Sequence, residues 1–354
     1  MNILLKSCLK HLEALVSFDT SNPPRRIHDS GLIDYLSSLP NVNLKIIDLG
    51  EGSLNLFMTK GKPKYLFNVH LDTVPSGDRW AQDPFKLEIK DDKAYGLGAC
   101  DIKGAAACLL ALIEEGIEDY SVLFSTDEEA GNSTCIKDFL KTKLNYEGII
   151  VAEPTMNLAV TTHRGIYTGT KEFFGYSGHS SQQSGFKDSA IHKLISWSNN
   201  ALNTAKSYDT ISVQNLKGLA FNLGLIKGGI KPNIIADRAE VKFGFRPLPG
   251  QVIGELKKEF DLESNNESKF SPGFSGTALP FNGNSTYSDK LAKNLNLDIS
   301  DPVDFWTEAS LFSEAGYPAI VFGPGDISNA HQPNEYVTLD HLCKALLIYE
   351  QIVQ

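Results

Sequence analysis

Apolar residues open the chain at helical spacing. Leu5, Cys8, Leu9, Leu12, Leu15 and Val16 recur between Lys6, Lys10 and Glu13, which predicts an amphipathic helix and not a secretory leader. Asn22-Pro23-Pro24 ends it, and a second helix is predicted through Ile33, Leu36 and Leu39. The pattern then shortens into strand-like segments at 42–49, 53–60 and 64–70. A glycine-bounded apolar helix over 103–115 starts just after Asp101. SVLFST, a short helix near 134–140 and GIIVAE continue an alternation of strand and helix, the rhythm of a parallel sheet covered by helices.

After Glu153 the character changes. LAVTTHRGIYTGTKEFFGYSG reads as two strands about a turn. The segment 188–204 reads as a helix with Ile191, Leu194, Ile195 and Leu202 inward. FNLGLIKGG and the alternating AEVKFGF read as strands, 251–260 as a helix, and DLESNNESKFSPG as a polar loop. The expected fold is α/β: one domain of residues 1–162 and 276–354 with a mixed, largely parallel sheet flanked by helices, and an inserted smaller α+β domain at 163–275.

Composition narrows the function classes. A net charge of −10 over 354 residues argues against a nucleic-acid binder. Five cysteines, scattered and without CxxC spacing, read as reduced thiols of a cytosolic protein. The longest apolar stretch, GAAACLLALI, falls far short of the roughly 20 residues of a membrane span, so no membrane partner is expected.

The chemistry lies in five short stretches: VHLDTVP with His70 and Asp72, GLGACDIKG with Asp101, STDEEAGN with Glu128 and Glu129, VAEPT with Glu153, and NAHQPNEY with His331. Each alone is commonplace as a turn, a helix start or a surface histidine. Four strand-like runs (KYLFNV, SVLFST, GIIVAE and AIVFG) stand beside them, and in open α/β sheets ligands gather beyond the carboxyl ends of strands. Imidazoles and carboxylates suit two borderline divalent ions such as Zn²⁺ or Co²⁺. If Asp101 bridges them, His70 and Glu153 complete one site, Glu129 and His331 the other, and each ion keeps an open position. Asp72, two residues past His70, is then expected to accept the imidazole N–H. Glu128, beside a ligand but free of metal, is expected to serve as general base and later as acid. GLGACDIKG has neither Walker nor GxGxxG spacing, which removes a nucleotide-dependent enzyme.

The ordered set HLDTVP, GLGACDIKG, TDEEAG, AEPT and HQPNEY resembles the family of two-zinc hydrolases that includes acetylornithine deacetylase, succinyl-diaminopimelate desuccinylase, aminoacylase and glutamate carboxypeptidase. The likeness runs almost the full length. SFDTSNPPR, FGFRPLPG, DFWTEASLFS and GPGDISNAH are most similar to the deacetylases of acetylornithine or acetylcitrulline in arginine synthesis. The resemblance implies the ligand and base roles given above, a cytoplasmic enzyme and an N-acyl amino acid as substrate. It further implies a lid domain able to form a homodimer, and a cis peptide between Asp101 and Ile102.

By itself His179 in GYSGHSSQQSG reads as a solvated loop histidine; the resemblance makes it a donor to the oxyanion. Gln183 stands where the family often has proline. Arg164, Asn233 and Arg246 are candidates to grip a substrate carboxylate, as an arginine fork does in bidentate fashion; Arg246 equally reads as a strand-end arginine paired with a local acid. Glu308 reads either as a helix-start glutamate or as a carboxylate for the side-chain ammonium of acetylornithine. The competing functions are a related desuccinylase, aminoacylase or dipeptidase and, from another class, a metal-binding partner protein without catalysis. Glu128 would be dispensable in the last.

Overall fold

The computed structural model describes residues 3–40 and 42–354. Met1, Asn2 and Asn41 of the expected 1–162 segment lie outside the described residues. The chain forms two compact units. One comprises Met1–Thr161, Thr286–Ser300 and Thr307–Gln354, the other Thr162–Ser285 and Asp301–Trp306.

In the first unit four apolar runs lie side by side as parallel strands, in the order Tyr120–Ser125, Tyr65–His70, Gly148–Val151 and Ala319–Val321. Leu54–Lys60 and Leu44–Asp48 extend the sheet antiparallel beside Tyr120–Ser125. YSVLFS, GIIV and AIV are buried throughout, which is why they appear as continuous apolar runs and not as alternating ones. The sheet is therefore mixed and largely parallel. Helix Gly104–Glu114 is buried from Gly104 to Ile113, and a helix apolar on all sides has to be interior. It packs against the helices Ile3–Ser17 and Leu339–Val353. Among the described residues no helix is long and apolar enough to cross a membrane.

The second unit is an antiparallel sheet in the order Ala220–Gly228, Arg238–Arg246, Ile166–Phe174 and Ser268–Gly276. Ile166–Phe174 alternates strictly between buried and half-buried positions, so one face meets a core of Phe173, Leu194, Trp197, Phe243 and Phe260.

Three sequence expectations need correction here. In the stretch read as two strands, Ile166–Phe174 is the one extended strand; residues 159–163 make isolated bridges to several different partners instead of one ladder. In helix Ala190–Ser207 the inward face is Ala190, Leu194, Trp197, Ala201 and Ala205, while Ile195 and Leu202 are exposed. The small residues and the tryptophan fit the sheet closely and turn the branched side chains outward. The end of the presumed polar loop is an edge strand, Ser268–Gly276, whose mostly polar sequence hides it and whose Pro272 an edge position tolerates.

Gly323 follows strand Ala319–Val321 and lies against the backbone after Gly148–Val151. A Cβ there would meet the carbonyl oxygens of Ala152 and Glu153, the latter at 2.7 Å. Gly323→Ala is expected to cost about 1–3 kcal/mol, because overpacking against backbone has no flexible side chain to yield. An unchanged urea midpoint would show that the Glu153 strand end is not closely fitted.

Candidate metal centre

The carboxyl ends of the parallel strands gather most of the expected residues. His70 is the last residue of its strand, Glu153 lies two residues past Val151, and Asp127, Glu128 and Glu129 follow Ser125. Asp101 sits in the turn before helix Gly104–Glu114, at φ −119° and ψ 88°, and its peptide to Ile102 is cis. His331 arrives on the loop before Tyr336–Thr338 with φ 57°.

Three sets of donor atoms each fall within 4.8 Å of one another: His70, Asp101 and Glu153; Asp101, Glu129 and His331; and His70, Glu128 and Glu129. Asp101 belongs to the first two. Its Oδ1 lies 3.0 Å from His70 Nε2 and its Oδ2 lies 3.3 Å from His331 Nε2. Glu153 Oε1 stands 3.5 Å from His70 Nε2, and Glu129 Oε1 stands 2.9 Å from His331 Nε2. His70 Nδ1 donates to the carbonyl of Asp72 at 2.9 Å. A carbonyl only accepts, so Nδ1 carries a proton and Nε2 is the nitrogen turned to the carboxylates. Three carboxylates converge on two imidazoles at these distances, and such N and O donors suit a borderline divalent metal.

The acid–base balance points the same way. Burial would lower the His70 pKa, but Glu153, Asp101 and Glu128 outweigh it and hold it well above the ordinary histidine value. Burial pushes the carboxyls of Glu128 and Glu153 well up, with neighbouring carboxylates adding to the shift in each. Asp101 is held below the usual carboxylate range: burial opposes this, and its bonds to His331 and His70 win. The cluster is short of positive charge.

Asp72 departs from its expected place. The Nδ1–H of His70 goes to the Asp72 carbonyl, while carboxylate Oδ1 stands 3.6 Å away. The other oxygen, Oδ2, accepts from Asn22 Nδ2 at 2.8 Å and from the Glu129 backbone N–H at 3.0 Å. Asp72 thus ties the Asn22 segment to the Glu129 loop. Glu308, before helix Ala309–Glu314, is only 1% exposed; its Oε2 accepts from Ser125 Oγ at 3.1 Å and from the Asn68 amide at 3.1 Å.

In the second unit, His179 and Asn233 come together, since Gly178–His179 pairs with Ile234–Ile235 and the Ser180 N–H donates to the Asn233 carbonyl. His179 Nδ1 accepts from the Ser181 N–H, which leaves Nε2–H as an outward donor. Arg164 is already occupied: Nε donates to Asp304 at 2.6 Å, and the two Nη atoms donate to the Gly218 and Lys217 carbonyls at 2.7 and 2.6 Å. Its expected grip on substrate gives way to a structural role, because a buried guanidinium has to use its donors locally. Arg246 ends its strand beside Asn222 and Lys242 on a cavity of 470 Å³, with no ion pair among the described residues.

Residues 66–354 match the profile of peptidase family M20/M25/M40. The chain belongs to this family. It is 46% identical over 351 residues to N-acetyl-L-citrulline deacetylase of Xanthomonas campestris, spanning 97% of this chain and 96% of that protein. It is 31% identical to acetylornithine deacetylase of Pectobacterium atrosepticum, spanning 81% and 80%. Among solved structures, an M20 metallo-carboxypeptidase from Sulfolobus solfataricus superposes with a TM-score of 0.74 at 18% identity, covering 100% of this chain and 99% of that one. Human carnosine dipeptidase 1 gives 0.69 at 16%, covering 99% and 96%. At such identities these structures establish the fold.

Sequence reasoning missed Glu335. Its carboxylate accepts the backbone N–H groups of Gly98, Cys100 and Asp101 at 3.0, 2.8 and 2.9 Å, clamping the turn that presents Asp101. It stands within HQPNEY, but nothing in the spacing shows which distant turn it faces. Asn22 and Asp127 were missed likewise; Asp127 accepts the Thr134 and Cys135 N–H groups.

The crowding has a measurable consequence in metal-free protein. Glu128 and Glu153 are raised, burial and neighbouring acids push Glu308 up to about 8, and the Asp101 and Glu129 bonds raise His331 to about 11. Each group holds its proton more tightly folded than unfolded, so its contribution to stability is lost as pH rises toward the folded value. Lys103, lowered by burial to about 7, acts in the opposite sense but is outnumbered. Metal-free protein is therefore expected to lose stability between about pH 6 and about pH 9, and zinc should reduce the slope. A urea midpoint flat or rising over that range would contradict this charge assignment.

Proposed function

We propose that this M20 protein is a cytoplasmic two-metal amidohydrolase that releases acetate from an N-acetyl-L-amino acid, with N-acetyl-L-citrulline ahead of N-acetyl-L-ornithine. The observation that carries it is the sharing of Asp101, one carboxylate oxygen toward each histidine. In this reading His70, Asp101 and Glu153 hold one ion and Asp101, Glu129 and His331 the other, Zn²⁺ or Co²⁺. Such ions, when bound, supply Lewis acidity and bring the pKa of water toward neutrality.

Glu128 neighbours this set without being needed by either three-residue site. It takes the proton of the attacking water and returns it to the departing amine. His179 offers its Nε2–H to the developing oxyanion, and Arg246, with Asn233, is left to meet the substrate carboxylate. Acetylcitrulline is placed first because the relative with that activity is the more similar, 46% against 31%. Burial and its bond to Ser125 also make Glu308 a poor partner for an ornithine ammonium. The homodimer through the smaller unit is part of the proposal and is read by sedimentation.

The direct test is release of free amine from N-acetylcitrulline, N-acetylornithine, N-acetylmethionine and succinyl-diaminopimelate, each with zinc or cobalt. The expected order of kcat/KM has N-acetylcitrulline first. Preference for the succinylated substrate would move the protein to the desuccinylases, and no release from any would favour a non-catalytic metal protein.

Two variants separate the roles. Glu128→Gln should lower kcat by about 10² to 10⁴ with two ions still bound, because shape is kept and proton transfer is lost. Asp101→Asn should lose metal, read by elemental analysis. Two tightly held ions in that variant would assign the bridge elsewhere.

A further inference from the structure

The first unit has a second concave feature, at the other end of the sheet from His70. Lys64 immediately precedes Tyr65, which starts the strand that His70 ends, so at 3.3 Å per residue the two ends are roughly 16 Å apart. A cavity of about 780 Å³ opens there. Lys45, Lys62, Lys64 and Lys143 line it, and none has an ion pair among the described residues. The carboxylates on its wall are Asp138, already paired with Lys141 at 2.8 Å, and Glu147. In a chain of net charge −10, a wall with this excess of lysine is a local reversal of sign.

The cavity has an apolar side and a fixed frame. Phe57 and Phe139 meet on it with ring centroids 5.3 Å apart, beside Ile47, Leu144 and Tyr146. The lysine-bearing turn is anchored by the Lys62 N–H donating to Asp119 Oδ1 at 2.7 Å and by the Glu147 N–H donating to the Lys64 carbonyl at 2.7 Å. Tyr146 Oη bonds Ser121 Oγ at 2.7 Å, and the Leu144 N–H donates to Tyr317 Oη at 2.9 Å. The walls are hydrogen-bonded to the sheet, so the cavity belongs to the fold and not to a loose loop.

We infer that this cavity is a second ligand site, for a phosphorylated small molecule carrying a planar ring. The ring lies against Phe57 and Phe139, and the phosphates meet Lys62, Lys64 and Lys143. The volume suits one ligand of nucleotide size, since small-molecule sites run to about 300–1,000 Å³. Like charges around one cavity repel each other, and a polyanion relieves that repulsion as it binds. Nothing in the hydrolytic chemistry uses these residues.

The test is calorimetric binding to the metal-loaded protein with ADP as probe, beside inorganic pyrophosphate (charge without ring) and adenosine (ring without charge). ADP should bind saturably and weaken as salt rises, with each partial probe weaker by about tenfold or more. Lys62→Gln with Lys64→Gln and Lys143→Gln should lower ADP affinity about tenfold or more, because charge-assisted contacts are lost. These lysines are exposed, so the variant is expected to keep its fold and its turnover. Phe139→Ala should weaken ADP while leaving pyrophosphate unchanged. ADP binding that persists undiminished in the lysine variant belongs to the metal centre and overturns the site, as does absence of saturable binding. Pyrophosphate binding as tightly as ADP overturns the ring half of the proposal. Binding is read directly, so the outcome does not depend on which acyl amino acid is hydrolysed.

Discussion

The first unit is organised around one buried carboxylate. Asp101 is 6% exposed, and a carboxylate so placed persists only where opposite charge and donors meet it. Two histidines face its oxygens from different parts of the chain, and Glu335 holds its backbone through three N–H groups across that turn. The buried helix Gly104–Glu114 begins three residues later, so the core itself fixes where Asp101 points. Changing the presentation of Asp101 would require moving that helix.

The remaining acids accumulate because the parallel strands end together. Glu128 and Glu129 follow one neighbour of strand Tyr65–His70 and Glu153 the other, with Glu308 and Asp72 close enough to act on them electrostatically. Unneutralised, burial and neighbouring acids raise Glu128, Glu153 and Glu308, so keeping them ionised costs stability; divalent cations offset that cost. Membership in the M20 family and the electrostatics of the cluster therefore describe the same requirement from two directions. In the second unit the division between support and recognition is just as physical. Arg164 is consumed by Asp304 and two carbonyls, whereas Arg246 lines a cavity and makes no ion pair among the described residues.

The sheet of the first unit is electrically polar. Its carboxyl ends carry the acids, while the turn at its amino ends carries lysines around an aromatic wall. Structural need does not account for the second grouping: among the described residues these lysines make no ion pair, and the frame around them is held by hydrogen bonds of backbone N–H groups and hydroxyls.

Much was legible in the chain because it depends on neighbours in sequence. Buried parallel strands announce themselves as apolar runs, GAAACLLALI as an interior helix, and the residues just past each strand as site candidates. The ordered motifs carried the family and its chemistry. What sequence could not supply were contacts between distant segments. Glu335 reaches a turn more than 200 residues earlier, Asn22 reaches Asp72, and the His70 proton goes to a carbonyl and not to the expected carboxylate. Arg164 looked like a free fork until the fold placed three acceptors around it. The edge strand Ser268–Gly276 was missed for a related reason: half-solvated strands carry little periodic signal, and only pairing with Ile166–Phe174 makes it a strand. Local pattern determined which residues had the right chemistry; the packing of remote segments decided which of them were free to use it.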